Sequence, residues 1–330
     1  MKKKRLACLA LVAPVFALAA CTSGASNLTL NSNWYRRTGT AISANTREEL
    51  AYTVRFESSG INNFLSYGEG RYQTVLSTQN TVLANGENET CYYLKSELSI
   101  PVTFTVNGES ETFTDSVTSE VWFRDVRFEL RPVRSVKTVV THTPFTSTPE
   151  TMEDAYVKYD YTHETTYDID CKNANVKVEY RELSQDGSLQ VVPIEQSVAL
   201  DGSGSYFDNE QILFALRAVP MISSISFRSI NPVKRAQETL STTKVPESVT
   251  EHISFSMNGA EKTEYEIAAY SVVLGYSGSN SGFSQTYTYA ALTESSNNTY
   301  RNVLLRMDVP VIHSLGTLHY TLSSAQFCDV

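Results

Sequence analysis

Ile100-Pro101-Val102-Thr103-Phe104-Thr105-Val106, followed by Asn107-Gly108, is the stretch that decides the fold class. Ile100, Val102, Phe104 and Val106 fall on one side of an extended chain, with Thr103 and Thr105 on the other. That two-residue period belongs to a strand with one buried face. Asn-Gly is the favoured pair for a two-residue hairpin turn, so a partner strand must run back from it. The next long run, Val117 to Leu130, changes its apolar face from Val117, Val121 and Phe123 to Val126, Phe128 and Leu130. A strand cannot change faces without an extra residue or a bend, which predicts a bulge near Arg124-Asp125.

The second half has the same style. Asn258-Gly259 offers another hairpin turn, and Glu264 to Leu274 reads as a long strand. Phe283, Tyr287 and Tyr289 share a face, as do Val303, Leu305, Met307, Val309 and Val311. Leu318, Tyr320 and Leu322 line the last strand, after Gly316. The chain from Trp34 onward is rich in Thr, Ser, Tyr and Val, a strand-forming composition. Long antiparallel strands with bends curl instead of lying flat. The expected class is mostly β, with long curved antiparallel sheets forming an open half-barrel.

One segment departs from the pattern. Asp208-Asn209-Glu210-Gln211 precedes Ile212-Leu213-Phe214-Ala215-Leu216-Arg217-Ala218-Val219, and Pro220 closes the run. Asp208 is placed as an N-cap with Gln211 three residues on, which predicts a helix over 208–219. Its second half is apolar all round except for Arg217, so it should be buried on most sides, within the concavity of the sheet. The order of this helix, the hairpin strands, a Tyr-rich strand and a closing Gly316-x-Leu318-x-Tyr320-x-Leu322 resembles the open half-barrels of bacterial envelope lipoproteins. These are the lipoprotein-sorting carriers and their relatives of unknown function. Glu48-Glu49-Leu50-Ala51-Tyr52-Thr53-Val54 resembles the first strand of such domains. The resemblance spans 48–327 in outline and implies a curved sheet that shelters acyl chains, with no catalytic residues.

The N-terminus carries an address. Lys2, Lys3, Lys4 and Arg5 precede an apolar run from Leu6 to Ala20, and Leu18-Ala19-Ala20 leads directly into Cys21. This is the layout of a secretory signal, and it resembles the lipobox at which bacterial lipoproteins are cleaved and acylated on cysteine. With Pro14 inside it, the run is too short for a comfortable membrane span. The expected organisation is a signal peptide over 1–20, a lipidated Cys21 with a polar tether over 21–33, an N-terminal β region over 34–150 and a C-terminal β region with the helix over 151–330. The expected location is the bacterial cell membrane, lipid-anchored and facing the extracytoplasmic side. The whole chain has a net charge of -9, and losing the signal's four positive charges leaves -13. Such acidity argues against nucleic acid as a partner and against a basic grip on anionic lipid, so acyl chains on Cys21 must do the anchoring.

Specific chemistry is sparse. Asp201-Gly202-Ser203-Gly204-Ser205 resembles the Asp-x-Ser-x-Ser metal loop of von Willebrand A-type domains, where Asp201, Ser203 and Ser205 would hold a magnesium ion. That fold needs alternating strands and helices, and this chain offers one helix, so a Gly-Ser turn into the helix is the better reading. His142, His163, His252, His313 and His319 are scattered and read as strand-face or surface residues. No nucleophile elbow, zinc-protease helix or phosphate-cradling loop is present, and no cofactor is implied. After Cys8 leaves with the signal and Cys21 takes lipid, Cys91, Cys171 and Cys328 remain, enough for at most one disulfide. Ordinary buried thiols are the expectation.

Two functions from different classes fit. The leading one is non-catalytic binding of an apolar ligand such as an acyl chain in the concavity, lined by Phe214, Leu216, Val303 and Leu305 with Tyr287 and Tyr289. The alternative is a surface interaction or adhesion protein that grips glycan or protein through exposed tyrosines. Tyr156, Tyr159, Tyr161, Tyr167 and Tyr180 form one candidate group, and Tyr265, Tyr270, Tyr276, Tyr287 and Tyr289 another.

Overall fold

The computed structural model describes residues 46–126, 129–170, 172–183, 189–200, 206–218, 224–276, 284–291 and 302–329. The signal, Cys21, the tether and the Asp201–Ser205 loop lie outside the described residues. Strands β1 (Thr46–Ser58), β2 (Leu65–Tyr67) and β3 (Gly70–Val82) come first. They are followed by β4 (Asn88–Val106), β5 (Glu109–Val126), β6 (Glu129–Pro144), β7 (Tyr156–Tyr167), β8 (Asn173–Leu183) and β9 (Leu189–Ala199). From β3 to β9 each strand pairs antiparallel with the next.

The short β10 (Tyr206–Asp208) leads into the helical segment around α1 (Ile212–Ala215). Then come β11 (Ser226–Asn231), β12 (Ala236–Thr242), β13 (Glu247–Met257) and β14 (Ala260–Tyr276). The chain closes with β15 (Ser284–Ala290), β16 (Leu304–Val311) and β17 (Gly316–Asp329). β1 joins the two halves, pairing with β3 on one side and β17 on the other. β13 pairs with β14, and at its far end runs parallel to β17 through Ser256–Ser324 and Met257–Ala325. With the β14–β15, β15–β16 and β16–β17 ladders, these pairings return on themselves, so this half curls into a barrel-like ring. The fold is therefore mostly β and barrel-like, with one short α-helix among the described residues.

The two expected β regions, 34–150 and 151–330, share one sheet and one core across the described residues. The β6–β7 ladder is continuous, and the main core mixes Leu50, Leu94 and Val121 with Val272, Leu305 and Ala325. A first and a last strand that pair along their whole length cannot fall into separate bodies.

Ile100, Val102, Phe104 and Val106 are all buried in β4, as their alternation required. Asn107 and Gly108 both have positive φ, as do Asn258 and Gly259, which is the backbone that the twist of a two-residue hairpin demands. The run 117–130 is corrected. It is not one bent strand: β5 ends at Val126, β6 begins at Glu129, and Val126 pairs with Glu129 across a hairpin. The register shift lies between Trp122 and Phe123, two residues before the expected place. The change of apolar face came from two strands read as one.

The helical segment covers Asn209–Ala218 but is an α-helix only in its middle. A 3-10 turn over Asn209–Gln211, α1, and a second 3-10 turn over Leu216–Ala218 make up the segment. Its start is as the sequence implied: the Asp208 side chain accepts from Glu210 N and makes a capping box with Gln211. Its end differs because sheet side chains take its carbonyls. Tyr289 Oη donates to Leu213 O at 2.9 Å and Tyr270 Oη to Arg217 O at 2.9 Å. Backbone groups satisfied this way need no longer α ladder. Arg217 is not a solvated exception either. It is buried and makes a bidentate pair with Glu48 of β1, at 2.6 and 3.0 Å.

Candidate functional site

The concavity is divided by the helix into a packed side and an open side. On the packed side Phe214 lies against Phe123, with ring centroids 5.0 Å apart, and Leu216, Val303, Leu305 and Tyr289 are all buried in the same core cluster. On the other side a partly open cavity of about 260 Å³ remains. Glu210 and Leu213 face it from the helical segment, one turn apart and so on the same side. The meander contributes Tyr72, Leu98, Ile100, Val117 and Asp115, and the ring contributes Tyr287, Met307, Val309, Leu318 and Tyr320.

Of the six residues expected to line a ligand site, only Tyr287 borders this space. Phe214, Leu216, Val303, Leu305 and Tyr289 are brought together, but as packing. The expectation failed by a rotation about the helix: the most apolar face went into the core, and the cavity fell to the face carrying Glu210 and Leu213. Asp201, Ser203 and Ser205 lie outside the described residues, as does Cys21. Among the described residues no group of three or more His, Cys, Asp or Glu side chains could hold a metal ion. Cys91 is a buried free thiol in a small cluster with Leu83, Tyr93 and Trp122.

Among the described residues the two tyrosine groups do not form exposed faces. Tyr161, Tyr167, Tyr270, Tyr287 and Tyr289 are buried, and Tyr156, Tyr159 and Tyr180 are half-buried. Tyr265 is exposed, and the side chain of Tyr276 lies outside the description. The barrel-like curl turned most of the described tyrosines inward, where Tyr270 and Tyr289 donate to backbone carbonyls and Tyr156, Tyr167 and Tyr287 to side chains.

The cavity's lining follows β6 from Lys137 to Pro144, roughly 20–25 Å at the rise of a strand. Charge occurs at two points along it. At the helix, Lys137 Nζ lies 3.0 Å from Glu210 Oε1, with both side chains buried. Burial is the largest single influence and lifts the Glu210 carboxyl, but Lys137, His163 and Asn209 together hold it below the ordinary value. Behind this pair, Asp208 Oδ2 accepts from Ser135 Oγ at 2.7 Å and Tyr167 Oη at 2.6 Å. Burial and the neighbouring Glu210 push Asp208 up to about 6. His163, buried beside them, is driven down to about 3 and is neutral at physiological pH.

The second charged point is Asp115 with His142. The β5–β6 ladder ends at Ser116–Val140, and the Asp115 side chain continues it. Its Oδ1 accepts from the His142 backbone N–H at 2.9 Å and lies 2.8 Å from His142 Nδ1. The imidazole is stacked on Phe113 at 3.9 Å and meets Tyr156 edge-on. Burial pushes the Asp115 carboxyl up to about 6, against the pull of His142. Asp115, Lys137, His142 and Glu210 were all missed at the level of sequence. One signal existed: had the break between Val126 and Glu129 been recognised, the β5–β6 register would have set Asp115 opposite the 141–142 pair.

No family model matches the chain, and no curated protein matches it. Among solved structures it is similar to the β-barrel-like protein of domain of unknown function DUF1849 from Brucella abortus. That likeness has 5% identity and a TM-score of 0.43, and covers 86% of this chain and 98% of the other.

Proposed function

We propose that this chain is a non-catalytic, lipid-anchored extracytoplasmic protein that holds one apolar chain in the cavity beside the helix. The observation that carries the reading is the cavity itself. It is long, narrow, partly open and walled mainly by Leu98, Ile100, Val117, Leu213, Met307 and Val309 and by tyrosine rings. Apolar walls with a few placed polar groups are what small-ligand sites share. A volume of about 260 Å³ is roughly nine water volumes, enough for a single slender segment and too little for a lipid with several chains. The lysine at its edge is already paired with Glu210, so no free cation competes for the role of anion site there.

The anchor rests on the sequence: a basic start, an apolar run and the Leu18-Ala19-Ala20-Cys21 box. Cys21→Ala should move the protein from the membrane to the soluble fraction, and a variant that stays with membranes overturns that part. For the ligand, native mass spectrometry of the chain purified from its own host envelope should show a co-purifying apolar mass. Val309→Trp, which fills the cavity from a half-buried position, should lose it while Val309→Ala keeps it. Recovery of no apolar species from either wild type or Val309→Ala would end the reading.

A further inference from the structure

The Asp115–His142 pair fixes which head group the apolar chain should carry. Asp115 Oδ1 is occupied twice by His142, through the backbone N–H and the ring. A carboxylate can only accept, so His142 Nδ1 must carry the ring proton, and in the neutral imidazole Nε2 is then left as a bare acceptor. Among the described residues no donor reaches Nε2 or Asp115 Oδ2. Neither atom is sealed into the wall as a buried orphan. Both residues border the cavity, next to Thr143 and Pro144 of β6 and Pro310 to Ile312 at the β16–β17 corner. This stretch of the wall offers Asp115 Oδ2 as an acceptor together with the carboxylate charge. Among the described residues Lys137 is the one lysine or arginine on the wall, and it is committed to Glu210.

We infer that the cavity selects a single-chain amphiphile whose head is not anionic and donates hydrogen bonds, an alcohol or an amine, with Asp115 as its acceptor. The inference rests on the reading of the cavity as an apolar-ligand site. A carboxylate or phosphate head would bring a second negative charge to Asp115 with no unpaired cation to offset it, and like charges juxtaposed in a desolvated site are strongly disfavoured. The ordinary ionisation of Asp115 at neutral pH supports this, since its carboxyl titrates at about 6. Tyr67 and Tyr320 also border the space, and burial raises both phenols, so they remain neutral hydroxyls able to serve either kind of head.

The test is isothermal titration of the intact chain at pH 7.5 with decanol, decylamine and decanoate, each below its critical micelle concentration. Decanol and decylamine should bind at least about tenfold more tightly than decanoate, and Asp115→Asn should bring the three within about threefold of one another. Val309→Trp serves as the blocked control, and a thermal melt shows whether Asp115→Asn is folded. The ranking in wild type needs no variant, so it decides the matter even if Asp115→Asn does not fold. Decanoate binding as tightly as decanol, or a folded Asp115→Asn that keeps the wild-type ranking, overturns the head-group inference and leaves the apolar-ligand reading standing. Binding of none of the three overturns both.

Discussion

The two sides of the helical segment were built from the same ten residues and came out opposite. Toward β1, β14 and β15 the helix is tied down: Arg217 pairs with Glu48, Tyr270 and Tyr289 donate to backbone carbonyls, and Phe214 packs against Phe123. Toward the β4–β6 wall, Glu210 and Leu213 border open space. The first side is a solid anchor and the second a boundary. A helix that only completed a core would have no reason to leave 260 Å³ beside it, where a few larger side chains could fill the gap. The contrast teaches that burial and function were assigned to different faces of one short element.

The sharpest way to break the comparison is at its anchor. Glu48→Gln or Arg217→Met leaves one buried charge without its partner and should cost about 3–5 kcal/mol by urea denaturation, whereas Glu48→Leu with Arg217→Met should recover most of that loss. If the singles cost less than about 1 kcal/mol, the packed side is not an anchor. Phe214→Ala should cost a similar amount, about 3–5 kcal/mol, because it leaves a hole in a sealed core. Leu213→Ala, whose atoms already border space, should cost less than half as much. Equal losses would mean that the two faces are packed alike.

A third prediction uses pH. The Asp115 carboxyl has its folded value raised to about 6 from an ordinary 3.8, so the folded state holds this proton more tightly than the unfolded chain. Its burial as a carboxylate therefore costs stability above pH 6, on the order of 3 kcal/mol, and that cost fades as pH falls from 6 toward 4. Asp115→Asn, which can still accept from the His142 backbone and ring, should gain on wild type at pH 7.5 and lose that gain by pH 4. An advantage that is flat across this window would place the Asp115 carboxyl in water. The smallest effect belongs to the tyrosines. Tyr265→Ser, at an exposed position, should shift stability by under about 1 kcal/mol, while the buried Tyr161→Ser should cost several times more.

Much of the architecture was legible because it is written at short range. The alternation of Ile100 to Val106, the two Asn-Gly turns and the Asp208–Gln211 cap are all contained within a few residues. What was not legible is separated in sequence. Glu48 and Arg217 stand 169 residues apart and nothing local announces their pairing. The Asp115–His142 pair was hidden by a single error. Reading 117–130 as one strand removed the hairpin, and without the hairpin no register could set the two residues side by side. The cavity left no trace at all, since a pattern of apolar residues looks the same whether its far side meets another side chain or empty space. For that reason the reading chose Phe214 and Leu216, the most apolar residues of the helix, and the structure used them for packing.

β17 is the neighbour of β1, β16 and the end of β13 at once, and Thr46 of β1 meets Asp329 of β17 across 283 positions of sequence. A chain that emerges N-terminus first therefore waits, with β1 unpaired on one edge, until nearly its last residue has been delivered. Non-local pairing of this kind makes folding slow and leaves strand edges exposed in the meantime. A message truncated anywhere before Gly316 should then yield only material for proteases, with no stably folded fragment.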